Sequence, residues 1–296
     1  MTLKNSFGNV ITAMVTPFTK NLELDYKQAV EVANYLVETG TDTLLLAGTT
    51  GECPTLTHDE EFKLFKTIKE SGGARVHVMA GTGSNCTKTA IQATKKALDA
   101  TIDSVLQVVP YYNKPSQEGM YQHFCEVANA TNLPIMLYNI PSRTGSFLEP
   151  ETVLRLSSHP TICAIKEAAG SVETVEKLAS ILPPEFLIYS GDDGLTLEFL
   201  KKGATGVVSV ASHCVGIQIK ELIQCFKQGD IKKAEHINAK LEDLFNVLFI
   251  TSNPVPVKYV LSTMKLCLEN VRLPLVAATQ VQKDQINTVL KQLDLV

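Results

Sequence analysis

Nowhere in the 296-residue sequence do ~18 apolar residues run together, the length that a membrane-spanning helix requires. The opening segment, Met1-Thr-Leu-Lys-Asn-Ser6, has no apolar core of signal-peptide length, so a cytoplasmic protein with no membrane segment is expected. Basic runs longer than a few residues are also missing. With 27 Lys and Arg against 31 Asp and Glu the net charge is -4, which gives a nucleic-acid surface no support. The seven cysteines, Cys53, Cys86, Cys125, Cys163, Cys214, Cys225 and Cys267, form no C-x-x-C pair. That argues against a zinc site or a disulfide frame, and for free packed thiols in a reducing compartment. Pro17-Phe-Thr follows the first strand-like run, where a dinucleotide-binding fold would place its glycine fingerprint.

What is present is an alternation. Short apolar runs at 10–16, 43–47, 76–80, 104–109, 134–138, 161–166, 186–190 and 206–211 read as strands buried on both faces. Between them lie helical patterns with start signals: Asp25 as an N-cap, Thr57 with Glu60 as a capping box, Ser116, Pro150 and Ser171, and a last helix from 216 to 228. Eight strands alternating with eight helices within roughly 230 residues predict an α/β fold of the (β/α)₈ TIM-barrel type, with a doubly wound sheet as runner-up. Beyond residue 230 the period-two pattern stops and the apolar spacing is helical, in segments through 231–248, 256–268 and from 279 onward. The expected organisation is therefore a barrel over 1–229 and a small C-terminal helical appendage over 230–296.

The sixth run ends on a lysine, Lys166, before falling into Glu167-Ala-Ala-Gly170. Lysine is rarely buried without a partner, so one that closes an apolar strand either snorkels into solvent or serves chemistry. Free lysine amines are neutral only about one time in a thousand near pH 7.5. Burial and nearby cations bring such amines towards ~7–8, where they condense with carbonyl groups to form Schiff bases.

In barrels of this type the chemistry sits at the C-terminal ends of the strands. Thr49 and Thr50 follow strand two, Tyr111 and Tyr112 strand four, Tyr138 closes strand five with Arg143 just beyond, and Gly191 follows strand seven. Each has a plain alternative: turn glycines, rim tyrosines, a solvated arginine. Asp192-Asp193 lacks companions at metal-ligand spacing and is expected to cap the following helix. Their convergence on one rim suits an amine-catalysed carbon–carbon bond formation in which Lys166 forms the imine with a keto acid. The threonine loop would then hold its carboxylate, Tyr138 would carry protons, and Arg143 would clamp a second carboxylate. No metal or other cofactor is called for, because the imine is itself the electron sink.

Several motifs, in order, sharpen this. Gly48-Thr-Thr-Gly-Glu52, Pro110-Tyr-Tyr-Asn-Lys-Pro-Ser-Gln-Glu-Gly119, Tyr138-Asn-Ile-Pro-Ser-Arg-Thr-Gly145, Ile165-Lys-Glu-Ala168, Ser190-Gly-Asp-Asp193 and Asn253-Pro-Val-Pro-Val-Lys258 make the sequence resemble the dihydrodipicolinate synthase family over essentially its whole length. The resemblance implies condensation of pyruvate with L-aspartate 4-semialdehyde in lysine and diaminopimelate biosynthesis. It further implies that Lys166 forms the Schiff base and that Tyr138 is the general acid/base, in a relay with Thr49 and with Tyr112 from a neighbouring subunit. Thr50 and the backbone at Val208 would bind pyruvate, Arg143 would hold the semialdehyde carboxylate, and Gly191 would stand among the binding positions. A homotetramer built as a dimer of dimers goes with it. The family's lysine-sensitive members place an effector pocket where Cys53, His58, Asn85 and Tyr111 stand here, but Glu61 and Thr89 depart from the sensitive pattern, so weak or absent inhibition by lysine is expected. The readings kept beside this one are an N-acetylneuraminate lyase or 2-keto-3-deoxy sugar acid aldolase and, from another class, a barrel that only binds a keto acid. Arg143 and the Tyr111-Tyr112 pair favour the synthase.

Overall fold

Each apolar run becomes one strand of a closed parallel barrel: β1 (Val10–Ala13), β2 (Thr43–Leu46), β3 (His77–Gly81), β4 (Ser104–Val108), β5 (Ile135–Asn139), β6 (Ile162–Glu167), β7 (Leu187–Ser190) and β8 (Gly206–Ser209), hydrogen-bonded in sequence order. The computed structural model describes residues 7–72 and 76–295, so the opening Met1–Ser6 segment lies outside the described residues. The runs are apolar throughout because both faces are covered. Ile11, Leu45, Met79, Leu106, Met136 and Val208 fill the barrel interior. Val10, Leu44, Val78, Val105, Leu137 and Ile165 face the helices.

Those helices are α1 (Tyr26–Glu38), α2 (His58–Gly72), α3 (Thr87–Asp99), α4 (Gln117–Asn129), α5 (Pro141–Thr144), α6 (Pro150–Leu156), α7 (Val172–Ile181), α8 (Thr196–Lys201) and α9 (Ser212–Lys227). The start signals act as read. The Asp25, Ser116 and Ser171 side chains accept from the backbone N–H groups of Gln28, Gly119 and Thr174. Thr57 and Glu60 bond reciprocally ahead of α2.

Two expectations change at the eighth unit. β8 stops at Ser209, short of 211, and α9 begins at Ser212, ahead of 216, with a kink at Val215. Asp193 is the physical reason. Its carboxylate is buried and accepts from Ser209 Oγ and from the N–H groups of Val210 and Ala211, which draws this backbone out of the ladder. The helix-capping expectation therefore fails for both aspartates: Leu195 stands at the N-cap of the next helix with no side-chain cap bond, and Asp192 Oδ1 accepts from Leu195 N at 3.2 Å in the turn before it.

One irregularity interrupts the ladder between β5 and β6. Ile135 pairs with Ile162, but Met136 pairs with Ala164, so a bulge at Cys163 precedes the pairs Leu137–Ile165, Tyr138–Lys166 and Asn139–Glu167. After β8 and α9 come α10 (Ile231–Val247), α11 (Val255–Thr263) and α12 (Gln280–Gln292), the last opened by a Thr279–Gln282 capping box. Leu244, Val257, Leu261, Ile286 and Leu290 of these helices belong to the same buried cluster as the outer face of the barrel.

Candidate active site

The ends of β5 and β6 set two residue pairs side by side. Tyr138 and Lys166 point into the barrel, and both are buried, at 5% and 7% exposed. The Lys166 Nζ lies 4.2 Å from the centroid of the Tyr138 ring. The next pair, Asn139 and Glu167, points outward and is fully buried. Asn139 Nδ2 donates to Glu167 Oε2 at 2.9 Å, Asn139 Oδ1 accepts from Leu148 N, and Glu167 Oε1 accepts from Ala169 N. Burial pushes the Glu167 carboxyl above its ordinary range, while the bonds from Asn139 and the backbone pull it back. The outward pair thus pins together the two strands that carry the inward pair.

Gly191 gives the lysine room. A Cβ built on it would lie 2.8 Å from Lys166 Cε and 2.7 Å from Ala168 Cβ, closer than side-chain atoms approach one another. Gly191 N also donates to Glu167 O at 2.8 Å, which ties the turn after β7 to the end of β6.

Beside Tyr138 a cavity of about 450 Å³ opens, with Thr49, Arg143 and Tyr111 also on its wall; Lys166, Thr50, Val208 and Gly191 do not line it. Arg143 sits on the short helix α5, a loop as read from sequence, and is exposed to the cavity. Thr50 is buried beside Thr49, and its Oγ1 accepts from Asn253 Nδ2 at 2.9 Å. Val208 is buried in the barrel interior with Tyr138. Tyr112 stands apart. It is 88% exposed and held at a φ of 75°, with its N–H bonded to Thr144 O. A left-handed conformation costs a non-glycine residue about 1–2 kcal/mol.

The same cavity runs on past the threonine loop to Cys53, His58, Glu61 and Thr89. His58 Nδ1 lies 3.1 Å from Glu61 Oε2. Burial pushes the Glu61 carboxyl up, and His58 pulls it back. Burial also pushes the Cys53 thiol up to about 12, so it stays protonated. Asn85 does not line this cavity; its backbone carbonyl accepts from Asn113 Nδ2 at 2.9 Å. Among the described residues no group of three or more His, Cys, Asp or Glu side chains is placed to hold a metal ion.

Sequence reading passed over several residues here. Asn253 and Lys258 fall in a motif that carried the resemblance, but their partners, Thr50 and Glu52, lie 203 and 206 positions earlier. Asn139, Glu167 and Asp193 stood inside quoted motifs with no sign of the bonds they make.

The barrel, which carries a buried lysine and tyrosine at the ends of neighbouring strands and an arginine on the wall of the adjoining cavity, has a fold shared with known proteins. Residues 6–293 match the Dihydrodipicolinate synthetase family. The chain belongs to that family. A relative named 4-hydroxy-tetrahydrodipicolinate synthase, from Thermosynechococcus vestitus, is 51% identical over 290 residues, covering 98% of each chain. Two dihydrodipicolinate synthase structures superpose closely. A DHDPS from Cyanidioschyzon merolae with lysine bound has a TM-score of 0.97 at 44% identity, covering 99% of this chain and 100% of that one. The Bacillus anthracis enzyme has a TM-score of 0.95, also at 44% identity, covering 97% and 98%. No helix among the described residues is long and apolar enough to cross a membrane.

Proposed function

We propose that this chain condenses pyruvate with L-aspartate 4-semialdehyde to 4-hydroxy-tetrahydrodipicolinate, the activity for which its relatives are named. The observation that carries the reading is the buried Lys166 amine against the Tyr138 ring at the end of an apolar strand. The amine attacks the keto carbon of pyruvate, and loss of water leaves an imine. Removal of a methyl proton gives the enamine, whose carbon attacks the aldehyde carbon of the semialdehyde while the new alkoxide takes up a proton. The semialdehyde's own amine then displaces Lys166 from the imine carbon, which closes the ring and frees the enzyme.

Tyr138 serves as the group that takes and returns protons, with Thr49 and a neighbour's Tyr112 as its relay. Thr50 and the Val208 backbone bind the pyruvate carboxylate, Gly191 lines the place where the amine moves, and Arg143 holds the semialdehyde carboxylate. A strained, exposed tyrosine suits a residue that serves a second subunit, so a homotetramer built as a dimer of dimers is part of the proposal, as are a cytoplasmic location and a division into a barrel over 1–229 and a helical unit over 230–296. Cys53, His58, Asn85 and Tyr111 form the effector pocket, with Glu61 and Thr89 weakening it toward lysine. A coupled assay with pyruvate and aspartate semialdehyde, set beside a cleavage assay with sialic acid, decides the reading. Turnover of sialic acid alone would overturn it in favour of the sibling lyase.

A further inference from the structure

The threonine loop is held from the far end of the chain. Its last residue, Glu52, is buried at a left-handed φ of 55°. Glu52 Oε1 accepts from Lys258 Nζ, itself fully buried on α11, and Glu52 Oε2 accepts from Arg272 N at 3.0 Å. Lys258 also donates to Asn270 O at 2.7 Å. Breaking one side of a buried ion pair strands a charge in a site that cannot solvate it, so this end of the loop cannot drift. The other fastening is the bond from Asn253 Nδ2 to Thr50 Oγ1, between two buried side chains. Thr16 Oγ1 donates to Gly51 O at 2.7 Å between the two.

The direction of the Asn253 bond matters. A threonine hydroxyl has one proton to give and two lone pairs to receive with. Asn253 donates, so it occupies a lone pair and leaves the proton free. A hydroxyl that already accepts one bond is polarised toward donating another. We propose that Asn253 is a positioning residue for the keto-acid carboxylate: its amide commits the Thr50 hydroxyl to donating, while the Glu52–Lys258 pair sets the loop at the height where that donation reaches the substrate. The inference rests on the reaction proposed above. It draws the C-terminal helical unit into the pyruvate site through residues that need not touch pyruvate.

Trapping of the Lys166 imine with borohydride, titrated against pyruvate, tests it. Wild type, N253A, T50V and the N253A/T50V double variant are compared by the pyruvate concentration that gives half-maximal labelling. A hydrogen bond to a charged group corresponds to about ten- to a hundredfold in affinity, so T50V should shift half-saturation by that factor and N253A by about tenfold. Because Asn253 acts through Thr50, the double variant should be no worse than T50V alone. Half-saturation by the semialdehyde should stay put in the single variant. The near-isosteric N253D offers only acceptors, so it should weaken pyruvate at least as much as N253A, and it carries the test where N253A does not fold. Multiplying factors in the double variant, an N253A value equal to wild type, or normal pyruvate binding by N253D would each overturn the inference. Absence of any pyruvate adduct on the wild-type chain would instead refute the proposed reaction, so the two failures are distinguishable.

Discussion

Tyr138 and Lys166 are register partners on adjacent parallel strands, and their side chains meet with the amine 4.2 Å from the ring centroid. Partners in such a ladder share a face, so the pairing alone sets the phenol ring beside the amine. A general acid/base must stand within hydrogen-bond reach of the proton it moves, directly or through one water, and the proposed role of Tyr138 rests on a strand pair and not on a flexible loop.

Gly191→Ala tests how closely the lysine is fitted. The new methyl would meet Lys166 Cε at 2.8 Å. Overpacking of this kind destabilises a fold by about 1–3 kcal/mol, and here it falls on the Lys166 side chain. Imine formation with pyruvate should slow, and the thermal midpoint should fall because the methyl also meets Ala168 Cβ at 2.7 Å. Full-rate trapping in the variant would show that the lysine leaves by another path.

Arg143 lines the cavity mouth and bonds no carboxylate of its own chain among the described contacts. Arg143→Ala should lose orders of magnitude in catalytic efficiency toward the semialdehyde while pyruvate imine formation survives, and Arg143→Lys should recover little because an ammonium lacks the fork. Parallel steady-state and trapping measurements separate the two steps. Equal losses in both would point to a structural role.

Tyr112 should be silent in its own subunit. Mixing inactive Tyr112→Phe chains with inactive Lys166→Ala chains should restore some activity, since mixed assemblies contain sites with both residues intact. No recovery in oligomers shown to be mixed would mean that one chain builds each site.

His213 gives a pH signature to stability. It is fully buried, accepts from Val15 N through Nε2 and donates from Nδ1 to Val210 O, an arrangement that requires the neutral ring. Burial pushes its pKa down to about 4 from the ordinary 6.5. The unfolded chain therefore takes up the proton first. The contribution is complete above the ordinary value and is lost as pH falls from 6.5 toward about 4. Thermal unfolding followed by circular dichroism should show the midpoint dropping across that window, with a shallower drop in His213→Gln. His123, also pushed down to about 4 by burial, remains in both chains and cancels in the comparison. Identical slopes would remove His213 as the cause.

L-lysine should inhibit weakly or not at all. The pocket that continues from the catalytic cavity has Thr89 without charge, and its Glu61 carboxylate is already engaged by His58. Losing a charge-assisted partner for an ammonium group costs ~1.5–3 kcal/mol, or about ten- to a hundredfold in affinity. Initial rates at saturating substrates across a lysine titration check this, and half-inhibition in the low micromolar range would show that the pocket works with the residues it has.

The barrel was legible because a strand covered on both faces must be apolar along its whole length, and these runs recur at barrel spacing. Lys166, Tyr138 and Arg143 were legible because their types are costly or unusual where they stand. Asn253, Lys258 and Asp193 were not, since a buried polar residue announces itself only through its partner. Asp193 reads as one more helix cap until Ser209, Val210 and Ala211 are seen to bond to it. The extents of β8 and α9 were misread for the same reason.

From Ile135 to Tyr138 the fifth strand takes three steps; from Ile162 to Lys166 the sixth takes four. An odd count faces an even one. In an unbroken ladder begun at Ile135 and Ile162, Ile165 would sit opposite Tyr138 and the amine would be turned toward the helices. The surplus residue absorbed at Cys163 restores the parity on which the orientation of the Lys166 amine depends. Removing any single residue between Ile162 and Lys166 would leave the amine facing the phenol across a straight ladder, whereas adding one without a second bulge would reverse it. The face of the sheet to which the Lys166 amine turns is thus decided by arithmetic along the backbone, separately from the identity of any side chain.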